Sequence, residues 1–294
     1  MSGLRFRVGN RIAAARGGWQ HARHWRQRAG VCPPVGRGAH LALRRWLRQV
    51  AGLDVHLTPP ANFTRITKST LHFEIDGDFI RAVDAALERT GEEAPPRGSD
   101  AYLRQHQKLY SLVQALELTA DVDGLVAECG CYRGLSALML CCATGSDGAG
   151  VHLFDSFEGL STLVAADQIE DGRVPKGRVK RQAGMFRAPV EDVRRALAAF
   201  PAVEIHKGWI PESLAGAPEG PYRFVHLDMD LHDPTAGALE FFYPRLAPGG
   251  VLVADDYGAV RWPGVRTAVD AFCTARSVRR LRLSSGQAVL FAQP

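Results

Sequence analysis

The first 50 residues contain no acidic residue and no lysine, although they include eleven arginines. The first carboxylate of the chain is Asp54. Because the whole chain has a net charge of +5, these eleven arginines leave residues 51–294 with a net charge of −6. The basic character therefore belongs to the N-terminal segment alone, and the rest of the chain is mildly acidic.

Residues 1–50, here called the arm, allow three interpretations. An Arg-rich segment without acids is typical of a contact with nucleic acid or an acidic membrane, and it also resembles a transit peptide. We favour a third interpretation, a disordered extension, because Arg, Ala, Gly and Pro are what GC-rich coding yields by default. On this interpretation the protein is expected to bind neither nucleic acid nor membrane.

Two further absences narrow the class of protein. The longest apolar runs, such as 135–143, are too short to cross a bilayer. The six cysteines form no CxxC pair and have no regular spacing, so we expect reduced thiols, Cys32 included, and a cytoplasmic location. A hydrophobic fraction of 46% and a charged fraction of 23% are ordinary for a soluble globular protein.

Strand and helix patterns alternate from about residue 121 onwards. Strands are predicted at 124–129, 151–154, 203–206, 222–227 and 251–254, with a final hairpin at 278–283 and 287–292. This alternation predicts an α/β fold with a doubly wound, Rossmann-like, mostly parallel seven-stranded sheet. The hairpin predicts an antiparallel terminal strand.

A helical N-terminal preface is predicted before the sheet. One helix should run from Phe79 to Arg89 with Asp78 as its N-cap, and a second from Asp100 to about Thr119. We therefore divide the chain into the arm (1–50), a helical preface or lid (51–120) and the domain of the sheet (121–294).

Three carboxylates follow the ends of two predicted strands. Asp228 follows the strand at 222–227, and Asp255 and Asp256 follow the strand at 251–254. Ligands of open parallel sheets bind outside the carboxyl ends of the strands, so the three side chains should share one pocket. Carboxylates at close quarters repel one another and need a cation. All-oxygen ligands favour a hard ion such as Mg²⁺.

A glycine turn joins the first strand to its helix at Glu128-Cys-Gly-Cys-Tyr-Arg-Gly134. Asp155 ends the next strand, where an acid can bind both hydroxyls of a ribose, as in NAD or S-adenosylmethionine. The turn lacks the Gly-x-Gly-x-x-Gly spacing that wraps a pyrophosphate. Glu128 would repel a pyrophosphate but attract the cationic methionine portion of S-adenosylmethionine. The pattern therefore favours the methyl donor, while NAD stays an alternative.

With these residues the chain resembles the macrocin O-methyltransferase family over about residues 100–292. Members of that family use S-adenosylmethionine and Mg²⁺ to methylate sugar hydroxyls on macrolide antibiotics and related natural products. Six motifs in order carry the resemblance: Glu128-Cys-Gly-Cys-Tyr-Arg-Gly134, Phe154-Asp-Ser-Phe-Glu-Gly159, Val190-Glu-Asp-Val-Arg194, Lys207-Gly-Trp209, Asp228-Met-Asp-Leu-His-Asp-Pro-Thr235 and Tyr243-Pro-Arg-Leu-Ala-Pro-Gly-Gly-Val-Leu-Val-Ala-Asp-Asp-Tyr-Gly258. Catechol O-methyltransferase is a more distant likeness.

The resemblance implies a role for each motif, and makes residues 121–294 the S-adenosylmethionine-binding methyltransferase domain. The implied metal ligands are Asp228, Asp255 and Asp256. The candidate bases are Asp228 and His232, the latter at a position where the family is expected to have tyrosine. The implied cofactor-binding residues are Glu128, Gly130, Cys131, Tyr132, Gly134, Asp155, Ser156, Phe157, Gly208 and Trp209.

We therefore expect an O-methyltransferase that acts on a hydroxyl of a small glycosylated acceptor. A deoxysugar hydroxyl is the leading candidate. A catechol-like phenol O-methyltransferase and a nicotinamide-dependent oxidoreductase are the alternatives. A helical preface of this kind can also form subunit contacts, which makes a homo-oligomer plausible. His206, His226, Asp230 and Asp233 are interpreted as structural, with Asp233 as a helix cap before Pro234.

Overall fold

The structure is a computed structural model that describes residues 72–145, 148, 150–169 and 181–293. The predictions for the arm, for residues 51–71 and for Cys32 lie outside these residues. The α-helices are α1 (Gly77–Thr90), α2 (Asp100–Glu117), α3 (Leu135–Thr144), α4 (Val190–Ala196), α5 (His232–Phe242) and α6 (Pro263–Ala275). The strands are β1 (Leu125–Cys129), β2 (Val151–Asp155), β3 (Glu204–Lys207), β4 (Tyr222–Leu227), β5 (Leu246–Ala254), β6 (Arg280–Arg282) and β7 (Ala288–Phe291).

The seven strands form one sheet in the order β3-β2-β1-β4-β5-β7-β6. Strands β1 to β5 are parallel, and β7 is antiparallel to both β5 and β6. The predicted mostly parallel sheet is therefore confirmed, with the last strand of the chain as its antiparallel member. This strand lies inside the sheet, because β6 pairs with its outer side.

Helices cover both faces of the sheet, which makes the fold doubly wound. Successive strand residues point to opposite faces. Val126 thus packs with α1 to α4, whereas Ala127 packs with α5 and α6. Burial on both faces explains why hydrophobic residues occupy consecutive positions in β1 and β4.

The two predicted preface helices, α1 and α2, belong to the same hydrophobic core as α3. The N-cap predicted for α1 is wrong. Its helix begins at Gly77, and Oδ1 of Asp76 accepts a hydrogen bond from the N–H of Phe79 at 2.9 Å, so Asp78 lies inside the first turn. None of the helices in the described part of the chain is long and apolar enough to cross a membrane.

The start of α5 also differs from the prediction, because a distant residue caps it. The helix begins at His232, so Asp233 lies in its first turn and is not the cap. The N–H of His232 donates a hydrogen bond to Oδ1 of Asp167 at 2.8 Å. A carboxylate from another part of the chain therefore satisfies an N–H group that the helix leaves without a partner.

Strand β5 begins five residues before its predicted start, since the Pro248-Gly-Gly250 segment stays extended. The pairing of β5 with β4 is irregular between Tyr222 and Phe224, which is typical of a β-bulge. A Cβ on Gly250 would lie 2.8 Å from the carbonyl oxygen of Ala247 and 2.9 Å from that of Tyr222. Gly250 thus permits a close approach of two strands just before the predicted start of β5.

Candidate functional site

The carboxyl ends of β1, β4 and β5 are joined by backbone hydrogen bonds. The N–H of Asp228 donates to the carbonyl oxygen of Cys129, and the N–H of Asp255 donates to that of Leu227, each at 2.8 Å. Both aspartates therefore continue the ladder just beyond the strands. The strand order reverses between β1 and β4, which is where open α/β sheets bind their ligands.

Gly130 allows these strand ends to approach one another. Its φ is +84°, a conformation that favours glycine. A Cβ at this position would lie 2.0 Å from the carbonyl oxygen of Asp228. The neighbouring strand, and not only a ligand, therefore requires glycine in the turn.

A cavity of about 540 Å³ lies at this edge of the sheet, within the usual size range of small-molecule sites. Its wall includes all three predicted metal ligands and seven of the ten predicted cofactor-binding residues. These residues are Asp228, Asp255, Asp256, Gly130, Cys131, Tyr132, Asp155, Ser156, Gly208 and Trp209. The structure thus brings the two predicted sets together in one cavity.

Backbone strain concentrates at the same cavity. Among the described residues, six non-glycine residues have a positive φ, and four of them line the cavity. The four are Tyr132, Phe186, Asp230 and Asp256. Such conformations are costly and persist where the surrounding structure enforces them, which is common at functional sites.

The three predicted metal ligands form a compact group, here called the acidic cluster. One carboxylate oxygen from each of Asp228, Asp255 and Asp256 lies within 4.8 Å of the other two. Burial, together with the carboxylates of Asp255 and Asp256, raises the pKa of Asp228 well above its usual range. The carboxylates therefore repel one another, as the sequence analysis expected.

Lys108 on α2 supplies a cation to the acidic cluster. Its Nζ lies 2.5 Å from Oδ2 of Asp255 and 2.5 Å from Oδ1 of Asp256. Burial lowers the pKa of Lys108, but the carboxylates of Asp255, Asp256 and Asp228 raise it by more. The pKa of Lys108 thus lies above its ordinary value, and the side chain is an ammonium group at neutral pH.

The acidic cluster fits a divalent cation on two observations. Oδ1 of Asp255 is buried and has no hydrogen-bond partner among the described residues, and the ammonium of Lys108 already occupies a position where positive charge is stabilised. Three carboxylates are the kind of oxygen donor that Mg²⁺ prefers. The metal-binding role of the three aspartates stays a prediction.

Asp230 also lines the cavity, two residues after Asp228, although we interpreted it as structural. Burial, together with the carboxylates of Asp256 and Asp228, raises the pKa of Asp230 well above its usual range. The cavity therefore contains a fourth carboxyl group beside the acidic cluster.

Asp155 is held by the backbone around the glycine turn. Its Oδ2 accepts hydrogen bonds from the N–H groups of Cys131 at 2.9 Å and Tyr132 at 3.0 Å. Its Oδ1 accepts one from the N–H of Phe157 at 2.7 Å. Because a carboxylate oxygen can accept two hydrogen bonds, Oδ1 can still accept a hydroxyl. This arrangement fits the predicted contact with a ribose.

Glu128 does not line the cavity, and its side chain is fully buried. Its Oε1 lies 2.8 Å from Nδ1 of His226, while its Oε2 has no hydrogen-bond partner among the described residues. Burial lowers the pKa of His226, but the hydrogen bond to Glu128 and the negative charges of Glu128, Asp228 and Asp255 together raise it by more, so the pKa lies above its ordinary value. His226 lines the cavity, and its Nε2 also has no partner in the described part of the chain.

Three other predicted residues lie outside the cavity wall. Gly134 precedes α3 with a φ of +94°, and the side chain of Phe157 is buried. His232 lies at the start of α5, where its Nδ1 is 2.7 Å from Oδ1 of Asp233. The structure thus places Asp228 in the cavity wall but not His232, the other candidate base.

Glu92, in the loop between α1 and α2, is a cavity residue that the sequence analysis missed. Burial raises its pKa to about 7, against the opposing effect of Arg133 and with a further contribution from the carboxylate of Glu128. An acid with a pKa this high indicates a carboxylate that lacks a sufficient cationic partner.

Aromatic side chains form part of the rim of the cavity. Phe186 lies 5.8 Å from the ring of Tyr132 and 6.2 Å from the ring of Trp262. Trp209 and Phe186 are 39% and 44% exposed. Exposed rings beside a cavity indicate a surface that a ligand covers.

A second group of potential metal ligands lies away from the cavity, on β2 and β3. Nδ1 of His152 is 3.2 Å from Nε2 of His206 and 3.7 Å from Oε2 of Glu204. The ring of His206 stacks on that of Phe154 at 4.4 Å. The two histidines satisfy each other, in agreement with a structural interpretation of His206.

Lys108 is the site residue for which the sequence did carry a signal. The residues of α2 that line the cavity, among them Arg104, Gln105, Lys108 and Leu112, recur at helical spacing. A lysine four residues before a buried leucine lies on the inner side of an amphipathic helix. Its partners, however, lie 147 and 148 residues further along the chain and could not be identified from spacing.

Comparison with known sequences gives a family match over most of the chain. The family described as Macrocin-O-methyltransferase (TylF) matches residues 56–283. The matched segment contains the whole of the parallel sheet and every residue of the acidic cluster.

Curated relatives match parts of the chain. The 8-demethyl-8-(2,3-dimethoxy-alpha-L-rhamnosyl)-tetracenomycin-C 4'-O-methyltransferase of Streptomyces olivaceus is 33% identical over 147 residues, which are 48% of this chain and 55% of that protein. Mycinamicin III 3''-O-methyltransferase of Micromonospora griseorubida is 26% identical over 195 residues, which are 62% of this chain and 75% of that protein. The chain thus spans about half of the first relative and three quarters of the second.

Two solved structures have a similar fold. The O-methyltransferase NovP is 20% identical with a TM-score of 0.58, over 74% of this chain and 98% of that chain. The calicheamicin methyltransferase CalS11 is 21% identical with a TM-score of 0.52, over 73% of this chain and 93% of that chain. At these identities the likeness confirms the fold alone.

Proposed function

Because the chain belongs to the macrocin O-methyltransferase family, we propose that it transfers the methyl group of S-adenosylmethionine to a sugar hydroxyl of a glycosylated natural product, with Mg²⁺ as a second cofactor. One observation carries this proposal. The carboxylate of Asp155 and the acidic cluster lie in the wall of the same cavity, so a ribose-binding acid and a cation-binding group can serve one reaction. Family membership sets the nicotinamide-dependent alternative aside.

In this proposal the methyl donor lies against the glycine turn. The free acceptor position on Oδ1 of Asp155 takes a ribose hydroxyl, with Ser156, Gly208 and Trp209 beside the adenine. Glu128 acts from beneath the cavity through His226, because its own carboxylate is buried. Helix α2 contributes part of the cavity wall, which supports the preface as a lid.

Asp228, Asp255 and Asp256 would hold the metal ion. A bound Mg²⁺ supplies Lewis acidity, which lowers the pKa of a hydroxyl that contacts it. The protein's own contribution is to fix the backbone of two of the three ligands, Asp228 and Asp255, at the strand ends through hydrogen bonds to Cys129 and Leu227. Fixed ligands hold the acceptor at a defined place relative to the donor, and such positioning supplies a large part of catalysis.

The reaction itself is a displacement at carbon. The acceptor oxygen forms a bond to the methyl carbon while the bond from carbon to sulfur breaks, and its electron pair stays on sulfur. S-adenosylhomocysteine leaves, and the proton of the hydroxyl passes to a carboxylate. We assign that proton to Asp228, since it lines the cavity and His232 does not. Asp230, two residues further on in the same wall and not among the proposed metal ligands, is our second candidate for this role.

The name of one relative, which contains a rhamnosyl group, supports a sugar as the acceptor. One name specifies the 4' position of a rhamnosyl group on tetracenomycin C, and another the 3'' position of mycinamicin III. The exposed rings of Phe186 and Trp209 offer apolar surface to such a glycosylated ligand. A deoxysugar hydroxyl is therefore our first choice, and a catechol-like phenol is the acceptor against which it should be compared.

The described cysteines support the predicted cytoplasmic location. Cys129, Cys131, Cys141, Cys142 and Cys273 are all free thiols. Free thiols are usual where the compartment is reducing. We therefore propose that the enzyme works in the cytoplasm.

The test is a methyl-transfer assay with a panel of rhamnosylated acceptors and simple catechols. Product mass and released S-adenosylhomocysteine are measured with Mg²⁺, with a chelator, and with Mg²⁺ restored. We expect methylated glycoside only in the first and third conditions. Full turnover in the chelator contradicts the metal, and methylation of catechols alone contradicts the sugar. A rise in melting temperature with NAD but not with S-adenosylmethionine contradicts the donor.

A further inference from the structure

We infer that Lys108 is an internal competitor of the metal ion, whose ammonium group must leave Asp255 and Asp256 before a divalent cation can bind the acidic cluster tightly. The inference rests on the proposed function, since it concerns the metal assigned there. It adds a residue on the preface helix α2 to the determinants of metal affinity.

Lys108 contacts two of the three proposed metal ligands. Its Nζ bridges Oδ2 of Asp255 and Oδ1 of Asp256 at 2.5 Å each. The side chain of Lys108 is only 20% exposed, and those of Asp255 and Asp256 are 6% and 13% exposed. Water therefore screens these charges poorly, so both attraction and repulsion are stronger here than at an open surface.

A metal ion and the bridging ammonium group cannot both be bound favourably. If the ion takes the oxygens that Lys108 now contacts, the two compete for the same atoms. If the ion takes the free Oδ1 of Asp255 instead, it lies a few ångströms from a fixed positive charge in a poorly screened site. In both arrangements the ammonium lowers the affinity of the cluster for the metal.

The side chain can move while its backbone stays in place. The carbonyl oxygen of Lys108 accepts a hydrogen bond from Nε2 of Gln287 at 3.3 Å, and Nε2 of the adjacent Gln107 donates to Oγ of Ser284 at 3.0 Å. These bonds attach α2 to the β6–β7 connection. Lysine has a flexible four-carbon stem, and Lys108 borders the cavity, which gives the displaced ammonium space.

The experiment compares Mn²⁺ binding by the chelator-treated full chain and its variants, with free Mn²⁺ measured by electron paramagnetic resonance. For K108M we expect binding tighter by about tenfold or more, because the competing charge is gone. K108R keeps the charge and should bind as weakly as the wild type. R104M is the matched control, since Arg104 is exposed on the same helix and lines the same cavity. Its affinity should change by less than about threefold, because exposed charges are well screened.

A second measurement follows Lys108 in the wild-type protein, in case K108M does not fold. The chain has five lysines, so ¹³C labelling at the ε carbon gives a small set of signals, and K108R identifies the one from Lys108. We expect that signal to shift as Mg²⁺ is added, while the signal of Lys207 stays unchanged.

The outcomes separate the inference from the proposed function. Equal Mn²⁺ affinity of the wild type and K108M, or tight binding by K108R, overturns the role of Lys108 and leaves the metal-assisted reaction intact. An unshifted Lys108 signal under saturating Mg²⁺ has the same meaning. If neither the wild type nor K108M binds Mn²⁺, the metal part of the proposed function is wrong, and the inference is wrong with it.

Discussion

The carboxylates in the two halves of the cavity are stabilised in different ways. On the β2 side, Asp155 accepts three backbone hydrogen bonds, so its charge is satisfied by the fold itself. On the β4–β5 side, four carboxyl groups lie close together, and two of them, Asp255 and Asp256, form ion pairs with Lys108. The charge of Asp155 is thus satisfied without a ligand, whereas the carboxyl groups on the β4–β5 side need the positive charge of a bound cation. The comparison suggests that the first half recognises a ligand and the second uses a cation.

The largest effect on activity is expected from the substitution Asp228→Asn, on the β4–β5 side of the cavity. It removes a proposed metal ligand and the proposed proton acceptor together, so we expect kcat to fall on the order of 10³-fold. The amide has nearly the same shape as the carboxyl group, and the fold should persist. Methyl transfer is measured beside Asp233→Asn, an exposed aspartate at the start of α5 that should keep most of the activity. A comparable loss in both variants would show that negative charge near α5, not the acidic cluster, matters.

On the β2 side the expected effect is smaller and falls on binding. Asp155→Asn removes the negative charge from the side chain that is proposed to accept a ribose hydroxyl. A hydrogen bond to a charged group contributes about 1.5–3 kcal/mol to binding. We expect the Kd for S-adenosylmethionine to rise about 10–100-fold by calorimetry. Glu158→Gln is the matched control, because Glu158 is exposed in the same loop. Unchanged affinity for Asp155→Asn would remove the ribose contact from the proposal.

Glu92 is the exception that sharpens the comparison, since it lies near the glycine turn but lacks a sufficient partner. Burial raises its pKa from 4.5 to about 7. Between these values the native state binds more protons than the unfolded state, so the free energy of unfolding falls as pH rises from 4.5 to 7. Above pH 7 the whole penalty is present.

We therefore expect Glu92→Gln to stabilise the protein above pH 7 by about 1–2 kcal/mol, a value reduced for partial exposure, and to leave it unchanged near pH 4. Thermal unfolding across this range is the measurement. Glu93→Gln, at an exposed neighbouring position, should follow the wild type at every pH. Parallel pH curves for the wild type and Glu92→Gln would mean that Glu92 has another partner.

Much of this architecture could be predicted because local signals determine it. The strand at residues 222–227 was predicted with its observed bounds, since an apolar run ends there at an aspartate. The start of β5 was not, because Pro248-Gly-Gly250 resembles a turn and only the pairing with β4 keeps it extended. The start of α5 was missed for a similar reason, as its capping carboxylate belongs to Asp167.

The same division holds for the site. The shared position of Asp228, Asp255 and Asp256 followed from a general property of parallel sheets, and the structure places them together. Helical spacing places Lys108 on the inner side of α2, but its carboxylate partners and the position of Glu92 depend on how the preface packs over the sheet. Glu128 was expected at the cavity surface, yet its pairing with His226 buries it. A strand end predicts where a side chain starts but not which partner it meets.

The smallest effect is expected from His232→Gln, and it tests whether the unsatisfied half of the cavity includes this histidine. His232 lies outside the cavity wall, and its Nδ1 is 2.7 Å from the carboxylate of its exposed neighbour Asp233. Because His232 lies outside the wall, we expect kcat within about threefold of the wild type and a pH profile of the same shape. Loss of such an exposed ion pair changes the free energy of unfolding by only about 0–1 kcal/mol. If His232 were the base, kcat would fall by about 100-fold or more, and the acidic limb of the profile would move. The proton of the acceptor hydroxyl would then pass to His232 at the start of α5. In that case the β4–β5 side would hold the cation but would not supply the base.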